Sequence, residues 1–280
     1  MRPLFTIRPL APKLLPATAM YLLPKDILIL TYAILIGASP LIPVPLLDDW
    51  VADSLLRRLV ADLARSYGLT LTEAEIQALA GRKKAGCAGG CLSALIFPFK
   101  AMLRQILFWR EIGRGVDLAT HTYYFSILLA EVLERGWYDP ARAAEIKAVI
   151  ERATAGANTK LVRDVFARTF NSSKGIVRAT GLWLFRFGVF ALKRFIGSLF
   201  ARIRRWLRPV DSLALYFDLD QYLETARPPI SVLLAELLDH LEQGIGQIPA
   251  EHFTSLLARF DAELQQAGFG APAAAVVAAE

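Results

Sequence analysis

"ILILTYAILIGASPLIPVPLL", residues 27–47, is the longest uncharged run in the chain. It constrains the fold more than any other stretch, because a helix with apolar side chains on every face leaves no side for water. By length alone it matches about 30 Å of hydrocarbon. Gly37, Pro40, Pro43 and Pro45 interrupt its second half; proline removes an amide donor and clashes with the preceding turn. An unbroken helix then runs only from about Asp26 to Gly37, too short to cross a bilayer alone. The run is expected to be half-inserted or re-entrant, or a helix buried against partners.

Two further segments share its apolar character. Residues 85–99 lie in "GRKKAGCAGGCLSALIFPFK", flanked by Arg82, Lys83, Lys84 and Lys100. Gly86, Gly89 and Gly90 would let another helix approach closely. Cys87 and Cys91 fit small-residue packing there, since two cysteines build no disulfide framework and no further metal ligands lie nearby. The third segment, "GLWLFRFGVFALKRFIGSLFARIRRWLRP" (181–209), holds no acid. On a helix, Lys193, Arg194, Arg204, Arg205 and Arg208 share one arc, and Phe195, Ile196, Leu199, Ile203, Trp206 and Leu207 lie opposite. Leu182 to Leu192 is apolar on every side except at Arg186. That gradient implies burial first and an interface second, with cationic heads reaching lipid phosphates and alkyl stems covering apolar surface. Trp183, Arg186, Lys193, Arg194, Phe195, Arg204, Arg205, Trp206 and Arg208 are therefore the expected membrane-contact residues. The expected partner is anionic lipid, worth on the order of 1 kcal/mol per basic residue. Nucleic acid is disfavoured, because stacking platforms need rings and charges on one face.

Apolar residues at 55% and charged residues at 21% point the same way. The net charge of +6 hides a division, since residues 209–280 hold eleven acidic side chains against Arg227 and Arg259 alone. The chain is expected to divide into a basic Pro-rich arm (1–26), a basic apolar helical membrane-associated domain (27–208), an acidic helical region (209–268) and a flexible tail (269–280). The first twenty residues lack the compact apolar core and cleavage site of a signal peptide.

Helix signals are strong and local. Val51, Leu55, Leu59 and Leu63 recur at helical spacing, with Asp53–Arg57 and Arg58–Asp62 as helix-surface pairs. Gly68 supplies a stop, Thr72 and Glu75 are spaced for a capping box, and Gly81 is an exit. An amphipathic helix follows Lys100, a separate one covers 117–135 before Gly136, and Asp139 with Pro140 opens the next. "GANTK" (156–160) and "NSSKG" (171–175) read as loops. After Pro209, amphipathic acidic helices are punctuated by Pro228, Pro229 and Pro249. No period-two alternation is present, so the expected fold is all-α: a multi-helix bundle with apolar re-entrant or membrane-contacting helices and a helical C-terminal region.

Residues 37–81 and the glycines beyond them carry a resemblance. Gly37 and Ala38, the Pro43-x-Pro45 turn, Asp48, a long helix ending in Tyr67 and Gly68, and the Gly86–Gly90 run stand in that order. This stretch, within residues 30–100, resembles an uncharacterised bacterial inner-membrane domain often fused to small GTPase domains or encoded beside them. The resemblance implies a place at the bacterial cytoplasmic membrane and partnership with a GTPase; it supplies no catalytic residues.

Catalytic signatures are not found. The glycines at 86–90 lack the Lys-Ser/Thr that would follow in a phosphate loop, and no HExxH or Gly-x-Ser-x-Gly occurs. Of the three histidines, His121 lies one turn from Asp117 with Tyr124 on the same face, and His240 lies one turn from Glu236. Neither pair has a third convergent ligand, so surface or capping hydrogen bonds are expected, with no catalytic, cofactor-binding or metal residue. The expected function is non-enzymatic, structural or adaptor-like, at the membrane. The alternatives are a soluble all-helical ligand- or partner-binding domain, and a membrane-inserting or pore-forming protein with 27–47 and 85–99 as a hairpin.

Overall fold

The structure, a computed structural model, describes residues 25–42, 47–81, 104–186 and 227–269. In chain order its helices are α1 (Lys25–Ala38), α2 (Leu47–Ser66), α3 (Glu73–Ala80), α4 (Arg104–Glu134), α5 (Ala143–Ala155), α6 (Lys160–Ser172), α7 (174–186), α8 (Arg227–Gly246) and α9 (Ala250–Gln266). Short 3-10 turns occupy Ser39–Leu41 and Pro140–Arg142. Among the described residues every regular element is helical, as expected.

α1 is the centre of the bundle. Every residue from Leu28 to Ala38 is buried, and the helix is walled by α2, α4 and α8. This corrects the reading of 27–47 as a re-entrant or lipid-contacting element over its described stretch, 27–42. The partners that bury it are the chain's own helices. The first arm of the hairpin reading is thus core. Among the described residues no helix is long and apolar enough to cross a membrane. Pro43 and Pro45, like the 85–99 segment with its cysteines, the N-terminal arm and the C-terminal tail, lie outside the described residues.

Small residues set how closely α1 and α4 meet. A Cβ added to Gly115 would stand 2.2 Å from the Gly37 carbonyl oxygen. One added to Gly37 would stand 2.8 Å from Ala119 Cβ and 2.9 Å from the Gly115 carbonyl oxygen. Gly37 on α1 faces Gly115 and Ala119 on α4, a small-xxx-small pair that lets two backbones touch. α4 is therefore one continuous helix where two were expected. Each interior glycine costs about 1 kcal/mol against alanine, and packing on α1 offsets that cost.

α2 buries Val51, Leu55, Leu59 and Leu63 as the spacing required. It ends at Gly68, whose φ of 76° is open to glycine. The Thr72–Glu75 capping box starts α3 as expected. Asp139 accepts from the Ala141 amide at the turn before α5. The Arg58–Asp62 pair is not a surface pair, because the Asp62 side chain is only 1% exposed. Its carboxylate accepts from Tyr32 Oη at 2.6 Å, Arg58 Nε at 3.1 Å and Arg65 Nη1 at 3.0 Å. Tyr32 belongs to α1, so this one buried carboxylate fixes α2 against the central helix.

The acidic C-terminal helices do not stand apart. Leu237 and Leu241 of α8, and Leu256, Phe260 and Leu264 of α9, belong to the same core as α1 and α4. α9 lies along α5 and joins basic residues of the body. Asp261 is 2.5 Å from Arg135, and Glu263 is 2.8 Å from Arg152. Arg259 donates to the Gly156 carbonyl at 2.7 Å. Arg142 donates to the Ala267 carbonyl at 2.6 Å and lies 3.6 Å over the Phe269 ring, so a cation closes the negative end of α9. Part of the charge division along the chain is thus answered within the molecule.

Candidate functional site

α6 and α7 present the surface that the sequence only half revealed. Inward, α6 buries Val162, Val165, Phe166, Thr169 and Phe170 against α4 and α8. Phe166 and Phe170 meet edge to face at 6.1 Å. The Ser173 amide donates to the Thr169 carbonyl and the Val177 amide to the Ser173 carbonyl, each at 3.0 Å. Those i to i+4 bonds carry the helical pattern across Ser173. Residues 171–175, expected as a loop, are helical on both sides of a single turn residue. α7 then buries Val177, Thr180, Gly181 and Leu184. A Cβ on Gly181 would meet Leu41 Cβ at 2.7 Å, so α7 lies tight on the turn that ends α1.

The outward residues of the two helices, the α6–α7 seam, follow one another on either side of Ser173. Lys160, Arg168, Asn171, Gly175, Arg178, Leu182 and Arg186 are exposed, and with Asp164 between the first two they recur at three- and four-residue steps. Four of them are cations, and the half-exposed Asp164 is the one acid on the same line. Leu161 at 39% and Leu182 at 41% are two of the three large apolar side chains exposed among the described residues; Leu69 is the third. Exposed apolar and cationic side chains thus alternate along the outer side of α6 and α7.

Of the expected contact residues, Arg186 is exposed on this seam and Trp183 is half-buried, packed against the core. Lys193, Arg194, Phe195, Arg204, Arg205, Trp206 and Arg208 lie outside the described residues. Lys160, Leu161, Arg168 and Arg178 were missed. The signal was available: once 171–175 is read as helix, the four-residue recurrence runs through from Lys160.

A second feature is a cleft of about 310 Å³ between α4, α5 and the first turn of α6. Asp117, Thr120, His121, Glu151, Thr154 and Arg163 line it. Asp117 and Arg163 pair across it at 2.7 Å. The expected Asp117–His121 neighbours do share this cleft, but Tyr124 turns elsewhere. Its hydroxyl shares a 2.6 Å hydrogen bond with His252 Nε2. His240 donates through Nδ1 to the Glu236 backbone carbonyl at 2.8 Å, a bond within its own helix. Among the described residues no group of three or more His, Cys, Asp or Glu side chains is placed to hold a metal. Compared with known protein families, curated proteins and solved structures, the chain matches none.

The His252 site makes stability depend on pH. Burial holds the His252 imidazole below its ordinary value, so the unfolded chain takes up a proton first as pH falls. The stability that neutral His252 contributes is present above about pH 6.5 and is lost as pH drops through that value. Asp26 and Glu242 act in the opposite sense. Burial pushes both carboxyls up, with Asp239 and Asp26 adding to the shift at Glu242. Their protonation at lower pH relieves the folded state. Between about pH 7.5 and 5.5 the urea midpoint of the parent should therefore fall relative to that of His252→Gln. An unchanged slope in the variant would exclude His252 as its source.

Proposed function

We propose that this protein is a non-enzymatic helical protein that lies on an anionic membrane surface through the α6–α7 seam, in a structural or adaptor role. The observation that carries the reading is the joint exposure of Leu161 and Leu182 with Lys160, Arg168, Arg178 and Arg186 on α6 and α7. The acid-free segment 187–208 follows Arg186 in the sequence with further Phe, Lys and Arg. Attachment here is peripheral: cationic heads meet lipid phosphates while the leucines enter the headgroup boundary. The resemblance over residues 30–100 supports the cytoplasmic face of a bacterial membrane, with a GTPase as partner.

Flotation with vesicles tests the proposal. Each basic residue contributes on the order of 1 kcal/mol near an anionic leaflet. The triple variant Arg168→Gln, Arg178→Gln, Arg186→Gln should bind anionic vesicles about a hundredfold more weakly. Its circular dichroism should not change, because all three residues are exposed. Equal flotation of variant and parent would reject the seam as the contact.

A second reading has an observation of its own. The burial of α1 from Leu28 to Ala38 within the bundle supports a soluble partner-binding helical domain, since the most apolar helix needs no lipid. Failure to float with vesicles of any composition would favour it.

A further inference from the structure

α8 and α9 follow one another in the chain but are held by different means. α8 packs on α1 and α6, with Leu237 and Leu241 fully buried. A Cβ on Gly244 would meet Val165 Cγ1 at 2.6 Å, so α8 lies tight on α6. α9 has α5 as its main neighbour. It buries one narrow stripe, Leu256, Phe260 and Leu264, at four-residue steps. The free energy of a local opening follows the apolar area that a segment buries, so α9 is the more weakly held of the two.

The edges of α9 are closed by charge. Asp261 pairs with Arg135 of α4, and Glu263 with Arg152 of α5. Arg259 reaches back to the Gly156 carbonyl, and Arg142 reaches the Ala267 carbonyl from the other side. In the two ion pairs the carboxylates are 38% and 19% exposed and their arginines 27% and 52%, so dissolved salt screens both. The joint to α8 is short. The Gln247 and Ile248 amides close a turn on the Gly244 and Ile245 carbonyls. Pro249 then stands at the start of α9 without a side-chain cap, and it has no amide hydrogen to carry the ladder of α8 onward.

We infer that α9 is a salt-releasable strap: residues 250–269 detach from α5 as one unit about the joint at 247–249, while the body formed by α1, α4 and α8 stays folded. Opening exposes the side of α5 that α9 covers and frees the Tyr124 hydroxyl from His252. The strap is separate from the proposed membrane contact, which uses α6 and α7.

Native-state hydrogen exchange on the full chain tests this. Amides of α9 should show protection factors at least about tenfold lower than those of α1 and α4. Raising sodium chloride from about 0.05 M to about 1 M shortens the screening length to about 3 Å. That change should lower the protection of α9 a further three- to tenfold, about what two exposed pairs contribute, and leave α1 and α4 as they were. The double variant Asp261→Asn, Glu263→Gln should show the lower protection already at low salt and lose the salt response. Equal protection in α9, α1 and α4, or no salt response in the parent, overturns the strap. A full salt response in the double variant refutes its fastening by these two pairs.

Discussion

Gly115→Val should lower the stability of the bundle by at least about 3 kcal/mol, and enough to abolish cooperative unfolding if the total is small. The added Cβ would sit 2.2 Å from the Gly37 carbonyl oxygen, well inside contact distance. The obstacle is backbone, so no rotamer change relieves it. The two helices must separate, and separation opens the layer in which Tyr32, Ile34 and Ile36 are buried. Gly113→Ala is the control. It lies two residues away on the same helix, and a Cβ there would meet nothing within 4 Å. Helix propensity alone should then raise stability by about 0.5–1 kcal/mol. Urea denaturation of the two variants reads the difference directly. Similar midpoints would mean that α1 and α4 do not touch at Gly37 and Gly115.

Asp62→Ala should cost about 3–5 kcal/mol, the range for removing one member of a buried charged network. The carboxylate is the shared acceptor of Tyr32, Arg58 and Arg65, and its loss leaves their mutual arrangement without a centre. Tyr32→Phe should cost less, because the carboxylate keeps its two arginines. The double variant Tyr32→Phe, Asp62→Ala should fall short of the sum of the two by about 0.5–3 kcal/mol. Strict additivity in the cycle would show that Tyr32 and Asp62 act separately. Arg57 and Asp53, an i,i+4 pair at 2.9 Å on the same helix, should contribute only a few tenths of a kcal/mol, about 0.3–0.5.

What was legible in the amino-acid sequence was what a few neighbouring residues decide. The Thr72–Glu75 box and the turns at Gly68 and Gly136 form as their local chemistry requires. The fourfold leucine spacing of α2 found its core. What was not legible depends on partners far away in the chain. The helix after Lys100 and the helix over 117–135 read as two, yet Gly115 between them is a contact surface for Gly37 of α1 within one helix. Asp62 read as one half of a surface pair because Arg58 is a turn away; only the position of Tyr32 reveals that the carboxylate is interior. "NSSKG" read as a loop from its composition, and that break hid the seam from Lys160 to Arg186. Similarly, the apolar length of 27–38 is the same whether lipid or protein surrounds it. Its surroundings were decided by which helices carry small residues at the crossing.

The placement of α1 also bears on how the chain is made. Gly115 leaves the ribosome about 80 residues after Gly37, which at 5–20 residues per second is a delay of about 4–16 s. Throughout that interval the greasiest helix of the protein has emerged and the helix that will shelter it has not. A nascent chain in this condition is a substrate for any factor that captures bare apolar helices, whether a chaperone or the membrane-insertion machinery. Synthesis speed between codons 37 and 115 should therefore influence how much of the product reaches the folded bundle.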